Sequence, residues 1–117
     1  MRELKCKPNT VTYNLLIELF NKEKSTDMML RMKKEMDEEG VEPNVNTYGV
    51  LIKAFCGRGH WKKAYHFLRE MVEDKSLKPT IPVYEMVLEL LRRAGQLTKH
   101  GELVEKMAER GFIARSL

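Results

Sequence analysis

Three histidines, two cysteines and seventeen carboxylates are the residues of this 117-residue chain that could support bond-breaking or metal chemistry. Their spacing argues against both. Cys6 and Cys56 stand fifty residues apart and form no CxxC pair, which zinc sites and dithiol redox centres use. So few cysteines fit a reducing compartment. No two of His60, His66 and His100 lie three or four apart on one helix, the spacing that would aim two imidazoles at one metal. His66 and Glu70 are four apart, which reads as a solvated polar pair. The run Glu35, Asp37, Glu38 and Glu39 reads as a solvated helix face. No glycine-rich phosphate loop, nucleophile–base set or paired carboxylates occur, so no enzyme, cofactor or metal is expected. What remains is a set of short polar side chains that can donate and accept hydrogen bonds. Asn9, Asn44 and Thr80 fall just ahead of predicted helices, where Asn and Thr are favoured caps. Asn14 falls inside a helix, where asparagine is mildly unfavourable and capping does not explain it.

The elements that position these residues repeat. Tyrosines stand at Tyr13, Tyr48 and Tyr84, each followed 23 residues later by Met36, Met71 or Met107, and prolines punctuate the joins at Pro8, Pro43 and Pro79. Such a period marks a stacked-repeat architecture. Each copy divides into two helices. The first presents one apolar face: Tyr13, Leu16, Ile17 and Phe20; then Tyr48, Leu51, Ile52 and Phe55; then Tyr84, Val87, Leu88 and Leu91. The second helix follows a break at Lys22–Lys24, Gly57–Gly59 or Ala94–Gly95. Its apolar face carries Met29, Met32 and Met36, then Ala64, Phe67, Leu68 and Met71, then Leu103, Val104 and Met107. The methionines read as core packing between hairpins in preference to an adaptable binding groove. One extra residue in the second copy is placed in the surface connection Glu73–Ser76. Two short helices cannot bury a two-sided apolar surface alone, so the hairpins must stack. The fold class is therefore all-α, a solenoid of three helix-turn-helix repeats at 10–44, 45–80 and 81–117. No apolar run approaches the ~18 residues of a membrane span. The formal net charge of +4 is compatible with a polyanionic partner without establishing one.

The strings Val11-Thr12-Tyr13-Asn14-Leu15-Leu16-Ile17, Gly40-Val41-Glu42-Pro43-Asn44 and Gly59-His60-Trp61-Lys62-Lys63-Ala64 resemble the pentatricopeptide repeat. The related tetratricopeptide repeat has a period of 34 and a Trp-x-x-Leu-Gly-x-x-Tyr first helix; the Tyr-x-x-Leu-Ile pattern here fits it less well. The resemblance covers nearly the whole chain and is to the P class. Residues 1–9 look like the tail of a preceding repeat, which suggests the C-terminal fragment of a longer plant organellar array. The resemblance implies a right-handed superhelix with first helices inside. It further implies sequence-specific binding of single-stranded RNA, in organellar RNA processing, stability or translation. The mitochondrion is expected ahead of the chloroplast, with the targeting segment outside this chain.

Carried over by position, the resemblance makes Asn14 and Asn44 the base readers of the first copy, a pair that favours cytosine and tolerates uracil. Gly49 and Thr80 would serve the second copy, Glu85 with Arg115 the third, and Asn9 the truncated preceding repeat. Val11, Asn46 and Pro82 would wedge between bases. Lys22, Arg58 and Arg93 would meet phosphates. Gly49 offers no side chain to a base, and Glu85 brings negative charge to that face, so reading is expected mainly from the first copy. The alternative is a protein-interaction scaffold. In it, the face of the first helix around Leu15 and Leu16 docks a partner or a second copy. No membrane or small-molecule partner is expected.

Overall fold

The structure is a computed structural model that describes residues 8–113. Among them are six α-helices in three hairpins and no strand: α1 (Thr10–Lys22) with α2 (Thr26–Glu38), α3 (Val45–Gly57) with α4 (Trp61–Arg69), and α5 (Ile81–Arg93) with α6 (Leu97–Glu109). α1 packs on α3 and α3 on α5, so the first helices form one row, and α4 also packs against α5. The all-α solenoid expected from the periodicity is the observed architecture.

Short polar residues cap α1 and α3, and left-handed residues make the turns that follow the first helices. The Asn9 carboxamide oxygen accepts from the Thr12 N–H at 3.0 Å, satisfying one orphan donor of α1. Asn44 and Thr47 form a reciprocal capping box on α3. Pro82 sits in the first turn of α5, where a missing N–H removes no bond. Gly59 and Gly95 turn the second and third hairpins at φ +73° and +72°, a region where a Cβ is penalised. The equivalent turn of the first hairpin is made by Lys24 at φ 61°.

The extra residue of the second copy is not taken up in the surface connection. The second helices α2 and α6 have 13 residues each, whereas α4 runs on into a π-helical turn, Glu70–Asp74, closed by the Lys75 N–H to the Glu70 carbonyl at 3.1 Å. A π-turn accommodates one residue within a helix without changing the flanking packing.

The methionines lie in the core: Met29, Met36, Met71 and Met107 are buried, with Ile17, Tyr48, Leu51, Ile52, Phe55, Leu68, Leu91 and Leu103. Leu16, Phe20 and Leu88 are partly buried against that cluster. One charge enters it. Lys33 stands where the second copy has Leu68, and it is 4% exposed. Its ammonium contacts Asp37 and Glu70, each at 2.7 Å, and lies over the rings of Tyr48 and Phe67. The Tyr48 hydroxyl donates to the same Glu70 oxygen at 2.5 Å. Glu70 thus ties α2 to α3 and α4. The first copy has a simpler version, Tyr13 donating to Glu35 at 3.0 Å. The third has Lys106 in the matching slot.

Burial alone would raise the Glu70 pKa, but the hydrogen bonds from Lys33 and Tyr48 outweigh it and hold the carboxyl below its ordinary value. A group depressed in the folded state contributes stability above its unfolded pKa. That contribution is lost as pH falls through the folded value. Removing only one partner of a buried pair leaves an uncompensated charge, whereas replacing both with apolar groups is often neutral. Glu70→Gln is expected to lower stability by roughly 2 kcal/mol at neutral pH, and the Lys33→Leu/Glu70→Leu pair to restore most of it. Urea unfolding at neutral and acidic pH checks both: the wild-type advantage over Glu70→Gln should vanish in acid.

Candidate nucleic-acid interface

The first turns of α1, α3 and α5 bring the expected contact residues to one row. Val11, Asn46 and Pro82, the three wedge positions, stand one per helix and all three are exposed. Asn14 lies a turn further along α1 from Val11.

Asn14 and Asn44 are brought together although 30 residues separate them. The Asn14 side-chain N–H donates to the Asn44 carboxamide oxygen at 3.2 Å, where one hairpin meets the next. A third member is Thr47, whose hydroxyl donates to the Asn14 oxygen at 2.5 Å and accepts from the Asn44 backbone N–H at 3.0 Å. The Asn44 oxygen also accepts from the Thr47 N–H at 3.0 Å. Asn14 is 6% exposed and Thr47 is fully buried, while Asn44 is exposed. Asn44 is therefore both a helix cap and the solvent-facing end of a buried network. Thr47 was not singled out from the sequence. The signal was present in Asn44-x-x-Thr47, a capping-box spacing, but only the fold supplies Asn14 as its partner.

The other expected readers differ. Asn9 is engaged as the cap of α1. Gly49 is half-buried, and a Cβ there would meet nothing within 4 Å, so the position opens a gap in the row. Thr80 is exposed and makes no side-chain capping bond to α5. Glu85 is exposed beside a cavity of about 500 Å³ that Pro82, Met86, Glu89 and Arg93 also line. Arg115 lies outside the described residues, as does Cys6.

The expected phosphate contacts also diverge. Lys22 is exposed at the end of α1 and forms no ion pair among the described residues. Arg93 is tied to Glu89 at 2.8 Å, a carboxylate that Arg92 shares at 2.5 Å. Arg58 reaches back across the junction to the Asn21 side-chain oxygen at 3.3 Å and also donates to the Ala54 carbonyl of its own hairpin at 2.9 Å. Its sequence neighbour Gly57 occupies the slot matching Lys22 and Arg93.

Residues with other chemistry are quiet. His66 meets Glu70 at 3.6 Å while largely exposed, and no group of three His, Cys, Asp or Glu among the described residues could hold a metal. Burial pushes the Cys56 thiol up to about 11, so it stays protonated at neutral pH. No described helix is long and apolar enough to cross a membrane.

Helical hairpins stacked so that their first helices form one row define an α-solenoid repeat protein. A PPR repeat family model matches residues 8–57, and a second, PPR repeat, matches 46–76. Pentatricopeptide repeat-containing protein At2g16880 of Arabidopsis thaliana is 28% identical over 116 residues, 97% of this chain and 16% of that protein. At3g49170, a chloroplastic pentatricopeptide repeat-containing protein of the same plant, is 31% identical over 99 residues, 85% of this chain and 12% of that protein. The chain thus spans under a fifth of either relative. The fold is also that of the PPR domain of Arabidopsis thaliana protein-only RNase P 1, solved in complex with tRNA. That match has a TM-score of 0.79 at 24% identity, over 97% of this chain and 56% of that one. The chain belongs to the pentatricopeptide repeat family.

The Asn14–Thr47–Asn44 network makes a stability prediction of its own. Thr47→Val keeps the side-chain shape but leaves the Asn14 oxygen and the Asn44 N–H without their hydroxyl partner. It is expected to lower stability by about 1–2 kcal/mol in urea unfolding; unchanged stability would show that the buried bonds do not form.

Proposed function

We propose that this chain binds single-stranded RNA through the row of first helices, with the Asn14–Asn44 junction as its base-selective position. The observation that carries the reading is the pattern of bonds at that junction. The Asn14 oxygen accepts from Thr47, and the Asn44 oxygen accepts from Asn14 and Thr47. The groups left over are N–H donors: one proton of Asn14 and the Asn44 amide nitrogen, which has no partner among the described residues. Two neighbouring donors fit a base edge with two neighbouring acceptors, the O2 and N3 atoms of cytosine. In uracil an N–H separates the two carbonyl oxygens, which makes it the poorer match. Splayed single-stranded bases are read at such edges by repeat proteins. The exposed Val11 and Asn46 flank this position and supply surfaces for the base faces. Gly49 and Glu85 leave the second and third hairpins weak or unselective. On this reading the activity is binding as opposed to catalysis and serves organellar RNA processing, stability or translation, with the mitochondrion put ahead of the chloroplast; family membership supports the RNA-binding part.

Fluorescence anisotropy with short oligo(C), oligo(U) and oligo(A), at two salt concentrations, tests this reading. Asn44→Ser keeps a cap on α3 while removing the amide. The wild type is expected to prefer oligo(C), and the variant to lose roughly tenfold of that preference, about 1.4 kcal/mol. Equal affinity for all three, or a variant indistinguishable from wild type, would overturn base selection at this junction.

A second reading, association through α1, has its own observation. Val11, Leu15 and Leu19 form a stripe along α1 and are 62%, 61% and 47% exposed. The matching positions of α3, which packs on α1, are Asn46, Val50 and Ala54, of which Ala54 is buried. An apolar stripe of this kind is a contact surface for another helix. Light scattering is expected to show concentration-dependent dimers that Leu15→Glu/Leu19→Glu abolishes. A monomer at all concentrations would exclude self-association by this face.

A further inference from the structure

We infer that the phosphate contact at the first junction is made by a three-cation cavity, Lys24, Lys53 and Arg58, and that its ligand is a phosphodiester of the RNA backbone. The inference rests on the RNA-binding reading and adds Lys24 and Lys53, to which that reading gave no role, beside Arg58. Between the turn of the first hairpin and the C-terminal half of α3 lies a cavity of about 400 Å³ lined by Asn21, Lys24, Lys53, Ala54, Gly57 and Arg58. It is lined by no carboxylate, and neither lysine forms an ion pair among the described residues. The Asn21 oxygen is engaged by Arg58, which leaves the Asn21 amide nitrogen as a further donor. A compact oxyanion fits such a set, because lysine ammonium groups and an arginine fork supply several donors and positive charge together.

Three features set this cavity apart. Gly57 stands where the neighbouring first helices carry Lys22 and Arg93, and a Cβ added there would meet nothing within 4 Å, so the mouth is open. Lys53 follows Gly49 by one helical turn, on the same line of α3 as the base-reading position. Lys24 holds a left-handed conformation at the turn where the other hairpins use Gly59 and Gly95; the strained position carries a cation at the cavity wall. The cavity at the next junction is opposite in character, lined by Glu85 and Glu89 with Arg93 bound to Glu89. The strand is therefore held at the first junction and released at the second.

Two measurements test the inference on the intact chain. Lys24→Gln/Lys53→Gln removes two charges and leaves Arg58, which bridges the hairpins, in place. Lys34→Gln/Lys63→Gln removes two exposed charges from α2 and α4 as a control for net charge. In the first measurement, backbone amide shifts are followed by NMR during titration with pyrophosphate. Saturable shifts are expected at Asn21, Lys24, Lys53 and Gly57 in the wild type and the control, and none in the cavity variant. In the second, the salt dependence of oligo(C) binding should become shallower by about 0.7 in log–log slope for the cavity variant, one phosphate contact, and be unchanged for the control. RNA binding with the same slope in all three proteins would overturn the cavity's role and leave the RNA reading standing. Pyrophosphate shifts without any RNA binding would overturn both the RNA reading and the backbone ligand, in favour of a small free phosphate. Absent shifts together with equal loss of affinity in cavity variant and control would reduce the effect to net charge and overturn the site.

Discussion

Buried polar bonds join the first two hairpins, and they set how one of these hairpins sits on the other. On the second-helix side, Lys33 reaches Glu70, which also accepts from Tyr48. On the first-helix side, Asn14 reaches Asn44 and Thr47. Apolar burial is non-directional and would tolerate sliding of one hairpin on the next. A buried polar group left without its partner is costly, so these bonds penalise every register but one. That register sets the distance between Asn14 and Asn44, residues contributed by different hairpins. The proposed reading position is a property of the junction and not of either hairpin.

The second junction is built differently. Val72 and Val83 are buried near it, and its polar ties lie at the edge, where Arg110 donates to the Glu73 carbonyl at 3.1 Å and to Ser76 at 3.4 Å. The Asn14–Asn44 pairing has its counterpart there in Gly49 and Thr80, which cannot form a side-chain bond to each other. The row of first helices thus changes along its length, from amides and unpaired lysines at the first junction to paired arginines and glutamates at the second. Function proposed for the chain is concentrated accordingly.

Much of the architecture was legible in the sequence because stacking demands a strict period. Tyr13, Tyr48 and Tyr84 and the methionines 23 residues after them mark the same buried points in each hairpin, and all six are buried in the structure. What the period could not show was the exception at each slot. Lys33 puts a charge in the slot that Leu68 fills in the second copy, and it is buried there because its partners Glu70 and Tyr48 come from the next hairpin. Arg58 looks like a free cation beside an empty slot, yet it reaches back to Asn21. The extra residue of the second copy is absorbed in a π-turn in which Met71 and Val72 are buried. The Lys33–Glu70 and Arg58–Asn21 contacts each join residues 37 apart in sequence, which no local pattern encodes. The proposed wedge positions Val11, Asn46 and Pro82 are exposed, one on each first helix.

The central claim is that Asn14 and Asn44 form one unit, a structural joint whose remaining N–H groups meet a base. Side-chain amide NMR of these two residues during titration with oligo(C) tests it most directly. Before RNA is added, the Asn14 amide protons should be protected from exchange by the bond to Asn44. On titration, the Asn44 amide protons should shift saturably and become protected, while oligo(A) leaves them unchanged. Asn44 amide protons that exchange freely and keep their positions at saturating oligo(C) would contradict the account.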